Sequence, residues 1–259
     1  MTGFPDITAD LRFPDALAAG HTCAGTFITV GGGAVVEICG AVGLDFVILD
    51  TEHTPVGWEQ LASMCLSALH SGTFPILRVS TTRRDLATRA LDAGARGVMF
   101  PQVENADEAL VAARACRYPP EGSRGVAATR NMAYGVGRAL TDHLPAANRA
   151  VVCVVQVETA RAIDQVEAIA AVTGVDCLFV GLSDLSADLG VPGDFRHPDV
   201  EAALDRVIAA ARTHGVPVGV PIADLSRRDS YRERGVSLFA TTDRAVVANG
   251  MTAFRHAIS

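Results

Sequence analysis

Residues 46–53 read Phe-Val-Ile-Leu-Asp-Thr-Glu-His, four apolar positions followed at once by four polar ones. A short apolar run without alternation suits a strand buried on both faces, the condition of a parallel sheet covered by helices. The strand is expected over Phe46–Asp50, and the polar block then falls at its carboxyl end. Runs of the same kind recur in both directions. Working outward, they are residues 25–30 (GTFITV) before it, then 75–79 (PILRV), 97–100 (GVMF), 151–158 (VVCVVQVE), 177–180 (CLFV), 216–220 and 238–241.

Helix-length stretches separate these runs, at 34–41, 58–70, 84–93, 160–172, 198–213, 225–235 and from Asp243 onward. Gly94 stands where a helix ending at Ala93 needs a left-handed residue. Asn105, with Glu108 three residues on, predicts a capped helix start after the fourth strand. Residues 117 to about 145 are rich in Gly, Pro and Arg and read as a long irregular connection. Eight β-then-α units predict one domain over residues 1–259, a closed (β/α)8 TIM barrel. An open doubly wound sheet is the alternative. No Gly-x-Gly-x-x-Gly follows the first strand, and Gly31-Gly32-Gly33 reads as a plain turn.

The bulk composition narrows the function class. The net charge is −7, with 22 basic residues scattered along the chain, so no clustered basic face points to nucleic acid. All 22 are Arg, because the sequence holds no Lys, and an imine formed on a lysine side chain is excluded outright. The six Cys form no Cys-x-x-Cys pair and lie mostly in apolar stretches, as expected of buried reduced thiols. No apolar run reaches the ~18 residues of a membrane span. A cytoplasmic protein without a membrane partner is expected.

Barrels of this kind carry their chemistry at the carboxyl ends of the strands. Unusual polar residues gather there: Asp50-Thr51-Glu52-His53, Arg78, Gln102, Gln156, Glu158, Ser183 and Asp184. Glu158 and Asp184 close adjacent strands. Two neighbouring carboxylates repel unless a proton or a divalent cation lies between them, and oxygen-only donors suit Mg²⁺ or Mn²⁺. Each can instead cap the element that follows it. Arg78 is either a fork for a substrate carboxylate or the partner of a neighbouring acid. An imidazole in general can gain or lose a proton near working pH, which makes His53 a candidate acid–base group or a structural one. An acid can orient its ring, with Asp92 one candidate, while Asp50 and Glu52 can bond to loop backbone or to bound water. Arg124 is either a turn residue or a second anion contact.

The blocks LDFVILDTEH (44–53), PILRVS (75–80), LDAGARGVMFPQVENADEA (91–109), RYPPEGSRGV (117–126), VVQVET (154–159) and GVDCLFVGLSDLSADLG (174–190) resemble the class II pyruvate aldolases. That family includes 4-hydroxy-2-oxoheptanedioate aldolase and the 2-keto-3-deoxy-sugar-acid aldolases. It is related to the citrate lyase beta subunit. The resemblance implies a metal-dependent carbon–carbon lyase that joins or separates pyruvate, or a related 2-oxo acid, and an aldehyde through an enolate. It implies Glu158 and Asp184 as ligands of Mg²⁺, Mn²⁺ or Co²⁺, and Arg78 as the holder of the substrate carboxylate. It implies His53 as acid–base group with Asp92 as its partner. Gln156 and the backbone at Leu182 and Ser183 would meet the substrate. It further implies a homo-oligomer, a hexamer, whose last helix packs on a neighbouring subunit. Many members have Gly-Pro-x-Asp-Leu-Ser where this chain has Gly181-Leu182-Ser183-Asp184-Leu185-Ser186, and sugar-acid members often carry Gly where Thr51 stands. The same barrel can also host a citrate-synthase-like condensation, a decarboxylation, or no catalysis at all.

Overall fold

The computed structural model describes residues 8–258. Eight parallel strands close into a barrel in chain order, β1 (Cys23–Ile28), β2 (Phe46–Asp50), β3 (Phe74–Arg78), β4 (Gly97–Phe100), β5 (Val152–Val157), β6 (Cys177–Val180), β7 (Val218–Pro221) and β8 (Val236–Thr242). Strand β8 pairs back on β1, so no open edge remains and the doubly wound alternative is excluded. The eight strands coincide with the expected apolar runs to within a few residues at their ends.

The strand period of two sorts the side chains into layers. Phe46 and Ile48 of β2, Phe74 and Ile76 of β3, and Val152 and Val154 of β5 point inward and pack with Phe27, Met99, Phe179 and Leu238. One step further along the same strands lie Asp50, Arg78 and Gln156. The polar rim is therefore the next inward layer above an apolar filling. The alternate residues Val47, Leu49, Leu77, Val98, Val155 and Leu178 face the surrounding helices.

Helix α1 (Arg12–Ala18) lies ahead of the barrel, where the sequence reading placed no element. It buries Phe13 and Leu17, and the Phe13 ring sits 5.5 Å from that of Phe46 and 4.5 Å from that of Phe74. It stoppers the amino-terminal end of the barrel, which an open strand end needs and a local periodicity does not reveal. The outer layer follows as α2 (Gly33–Ala41), α3 (Trp58–Ser71), α4 (Arg84–Ala93) and α5 (Ala106–Cys116). Asn105 accepts the Glu108 amide at 2.9 Å, as expected, and Gly94 adopts φ +115 after α4.

Three expectations need correction. The irregular stretch after residue 117 ends in a helix, α6 (Leu140–Ala150), which includes Pro145. The helix expected over 160–172 is two short ones, α7 (Ala160–Asp164) and α8 (Val166–Ala170), broken at Gln165. Between the strand at 177–180 and the helix expected from 198, where the sequence reading placed no helix, α9 (Leu182–Asp188) begins directly after β6. Its Ser, Asp and Ala residues lack an apolar stripe long enough to register as a helix. The layer is completed by α10 (Pro198–His214), α11 (Arg228–Arg234) and α12 (Asp243–Ile258).

Asp243, the first residue of α12, fastens the closure. Its carboxylate accepts the amides of Thr29, Val30 and Gly31 at 2.9, 3.1 and 2.9 Å, and the Thr29 hydroxyl at 2.7 Å. Burial raises its pKa, but these donors together hold it below the usual carboxylate value. Asp243→Ala leaves several part-buried donors without an acceptor, and each costs about 1–3 kcal/mol. The variant is expected to lose about 3 kcal/mol in urea unfolding. A midpoint equal to that of the native chain would show that this carboxylate does not hold the barrel closed. All six cysteines are free and buried. Among the described residues no helix is long and apolar enough to cross a membrane.

Candidate active site

The register that pairs β2 with β3 sets Asp50 directly opposite Arg78. Both are inward-facing, and burial forces them to satisfy each other. Asp50 is 1% exposed and takes the Arg78 Nε–H at 2.8 Å on Oδ1. The same oxygen accepts the Glu52 amide at 3.0 Å, and Oδ2 accepts the Thr54 hydroxyl at 3.2 Å. Burial raises the Asp50 pKa, yet the Arg78 hydrogen bond and charge, with the amide and hydroxyl, leave it below its ordinary value.

Arg78 is held from further sides. Its Nη1 lies 3.0 Å from Glu52 Oε2 and donates to Gln156 Oε1 at 3.4 Å. Its Cζ lies 4.9 Å from the centre of the Phe27 ring. Among the described residues no hydrogen bond engages Nη2. A guanidinium locked at Nε and Nη1, with Nη2 left over, has the geometry to receive an anion at the mouth of the barrel. Of the two readings of Arg78, the pairing with neighbouring acids is seen directly, and Nη2 is left available for the other.

A chain of polar contacts runs on from it. Gln156 Nε2 donates to Glu158 Oε2 at 2.9 Å, and the Gln102 amide donates to Glu158 Oε1 at 2.8 Å. Glu158 is 2% exposed. Burial pushes its pKa up from 4.5 to about 7; the Gln102 amide opposes this, while the charges of Asp184 and Glu52 add to it. Burial likewise raises Glu52, against the Arg78 and His53 charges and with those of Asp50 and Asp184. Glu52, Glu158 and Asp184 therefore share one electrostatic neighbourhood. Asp184 sits in the first turn of α9, exposed at the rim.

This neighbourhood fits a divalent cation. The donors are carboxylate oxygens, which suit a hard ion that keeps water in its remaining positions. Among the described residues no group of three or more His, Cys, Asp or Glu side chains could hold an ion by itself. Two carboxylates with open positions match a catalytic site rather than a closed structural one. Gly181 leaves room for the ligand side chain itself: a Cβ added there would fall 2.1 Å from Glu158 Oε2.

His53 stands at the mouth with its side chain 65% exposed, its Nε2 3.7 Å from Glu52 Oε2. The nearby acid is therefore Glu52. Asp92 lies in the last turn of α4, a helix that starts after β3 and ends before β4. Such a helix runs from the carboxyl end of the strands to the amino end, about 15 Å for ten residues. Within one chain Asp92 therefore lies at the far end from His53, and its carboxylate takes Arg124 Nη2 at 2.9 Å. Arg124 is buried and lies 4.5 Å from the centre of the Tyr118 ring, away from the rim. Leu182 and Ser183 open α9, where a helix leaves its amides without partners inside the helix.

Sequence reasoning missed the grip of Glu52 on Arg78, the Gln102 amide on Glu158, and the Phe27 ring beside the guanidinium. Strand parity signals Phe27, which alternates inward with its neighbours. No local signal marks the other two, because both depend on how separate loops meet.

The family described as HpcH/HpaI aldolase/citrate lyase matches residues 24–244. A hydroxypyruvate/pyruvate aldolase of Paraburkholderia phytofirmans is 40% identical over 223 residues, which cover 83% of this chain and 85% of that protein. A 2-dehydro-3,6-dideoxy-6-sulfogluconate aldolase of Pseudomonas putida is 37% identical over 217 residues, covering 83% of this chain and 84% of that protein. The crystal structure of an HpcH/HpaI aldolase/citrate lyase family protein from Burkholderia cenocepacia J2315 superposes with a TM-score of 0.90 at 38% identity. It covers 96% of this chain and all of that one.

Proposed function

The chain belongs to the HpcH/HpaI aldolase/citrate lyase family and is an aldolase, a carbon–carbon lyase; we propose that its substrates are 4-hydroxy-2-oxo acids, cleaved to or formed from pyruvate or a related 2-oxo acid and an aldehyde. The observation that carries this is the buried contact chain Asp50–Arg78–Gln156–Glu158 at the carboxyl rim.

Glu158 and Asp184 would hold Mg²⁺, Mn²⁺ or Co²⁺. Bound there, the cation would polarise the 2-oxo group and offset the negative charge that develops as the C3–C4 bond breaks. Arg78 receives the substrate carboxylate on Nη2, and the opening amides of Leu182 and Ser183 are further donors to it. Asp50, Glu52 and Gln156 keep the guanidinium from turning away, so its orientation is fixed before the substrate arrives. Gln156 borders the bound 2-oxo acid. In cleavage His53 takes the proton from the C4 hydroxyl as the C3–C4 bond breaks to release the aldehyde, and C3 of the enolate then gains a proton from His53 or from the solvent it faces. Glu52, whose Oε2 lies 3.7 Å from the His53 Nε2, is the acid beside the ring. In a single chain Asp92 is out of reach of His53, so the role implied for it by the resemblance requires a second copy.

The test is proton exchange at the methyl group of pyruvate. In D2O with Mn²⁺, the protein is expected to replace those protons with deuterium, as followed by NMR, and to resist inactivation by borohydride plus pyruvate because it has no lysine. Silence with Mg²⁺, Mn²⁺ and Co²⁺ alike would remove the reading. Aldehydes screened against pyruvate and hydroxypyruvate then identify the second substrate.

We also propose that α12 packs on a second copy. Val247, Met251, Phe254 and Ile258 fall at helical spacing on one face and are 42–71% exposed, and only Asp243 of the helix is buried. Val30, Ile38 and Val42 are exposed as well and offer a matching apolar surface. A chain ending at Ala245, which keeps Asp243, is expected to elute in light-scattering chromatography as a smaller species than the full chain. Equal masses would show that α12 makes no subunit contact.

A further inference from the structure

Among the described residues, Gln102 is one of three other than Gly with a positive φ, at 52°. A left-handed backbone at such a residue persists only where its surroundings hold it there. Both flanks are fixed. Phe100 is in register with Val155 on one side, and the Val103 amide donates to Gln156 O at 3.2 Å on the other. Pro101 in between cannot donate a ladder hydrogen bond. The turn thus leaves the β4–β5 ladder and rejoins it within two residues. What it presents is the Gln102 amide, 2.8 Å from Glu158 Oε1, while the Gln102 side chain is exposed.

The opposite side of the carboxylate is set by a missing atom. Gly181 has an ordinary φ of −78°, so its backbone does not demand glycine. A Cβ there would lie 2.1 Å from Oε2 and 2.8 Å from the Cβ of Glu158. The one oxygen is drawn by an amide and the other has room only because Gly181 lacks a side chain.

We propose that Gln102, acting through its backbone, and Gly181 are positioning residues that aim the Glu158 carboxylate toward Asp184 for a divalent cation. The inference rests on the cation reading given above and adds what sets the ligand's direction. It makes residue 102 a site where side-chain identity matters through backbone preference alone. Gly and Asn, which accept the left-handed region, keep the amide in place. Val, β-branched, does not.

The experiment is Mn²⁺ titration of the full-length protein by calorimetry and by electron paramagnetic resonance, with thermal unfolding of each metal-free variant as the fold control. Gln102→Gly and Gln102→Asn are expected to bind Mn²⁺ as the native chain does. Gln102→Val and Gly181→Ala are expected to bind about tenfold more weakly, the effect of one hydrogen bond to a charged group. In turnover assays the same two variants recover at high Mn²⁺, which a collapsed pocket does not. If Gln102→Val binds Mn²⁺ normally, or Gln102→Gly is as weak as Gln102→Val, the backbone role is overturned. Should Gln102→Val not fold, Gly181→Ala decides, and unchanged affinity there overturns the proposal. A native chain that binds no Mn²⁺ sinks the cation reading itself, which separates the two failures.

Discussion

Arg78→Ala is expected to lower kcat/KM by about a thousandfold or more, equivalent to roughly 4 kcal/mol of transition-state stabilisation. The guanidinium is the proposed anion contact at the rim, and nothing else among Asp50, Glu52 and Gln156 can replace a donor fork. Arg78→Lys keeps the charge but loses the geometry that reaches Asp50 through Nε and Glu52 through Nη1 together. It is expected to recover only part of the loss. The same substitution changes stability. In the native chain Asp50 has a lowered pKa, so its pairing stabilises the fold above the unfolded-state value and that contribution is lost as the pH falls through the lowered one. Without Arg78, burial dominates and the sign reverses, because the carboxyl now favours its proton. Arg78→Ala is therefore expected to lose more stability than the native chain between pH 5 and pH 8 in urea unfolding. Native-like kinetics in Arg78→Ala would remove the anchor from the mechanism.

Glu158→Gln has the second large effect, and it acts in opposite directions on activity and on stability. The carboxylate is a proposed metal ligand, so turnover is expected to fall by about a thousandfold, consistent with losing a cation that offsets developing charge. The metal-free fold should gain. Glu158 carries a pKa raised from 4.5 to about 7. A raised carboxyl pKa means that the folded state holds its proton longer than the unfolded chain does. Stability therefore falls as the pH rises from 4.5 to about 7 and stays lower above that. The span corresponds to about 3 kcal/mol at one pKa unit per 1.36 kcal/mol. The metal-free native protein is expected to melt at lower temperature at pH 8 than at pH 5.5. Mn²⁺ should raise the melting temperature more at pH 8, where the site is ionised. Glu158→Gln should flatten that pH dependence and abolish the Mn²⁺ response. A Glu158→Gln variant that Mn²⁺ still stabilises would place the cation elsewhere.

Much of this was legible in the chain because strand residues in a closed parallel barrel are buried on both faces. Phe46–Asp50 and Cys177–Val180 are as expected to the residue, since apolar runs end abruptly where polar ones begin. Helix α9 was not legible. Its seven residues are held by position, between the end of β6 and the rim, rather than by an apolar stripe of their own. Helix α1 was not legible either, because its two buried residues, Phe13 and Leu17, have meaning only against an open barrel end. The pairing of Asp92 with His53 is not made within one chain, because α4 carries Asp92 to the other end of the barrel, where Arg124 takes it, and that pairing is left to a second copy.

Composition and order alone determined that this chain is a barrel with acids, an arginine and an imidazole on its carboxyl rim, and that no lysine can take part in its chemistry. Those facts follow from burial and from the list of atoms present, which local sequence carries in full. Only the tertiary structure decided which acid grips Arg78, that Glu158 receives an amide from a left-handed turn, and that Gly181 leaves it room. Hydrogen bonds and close approaches between distant loops depend on distances of a few tenths of an ångström, and strand register, not residue type, sets those.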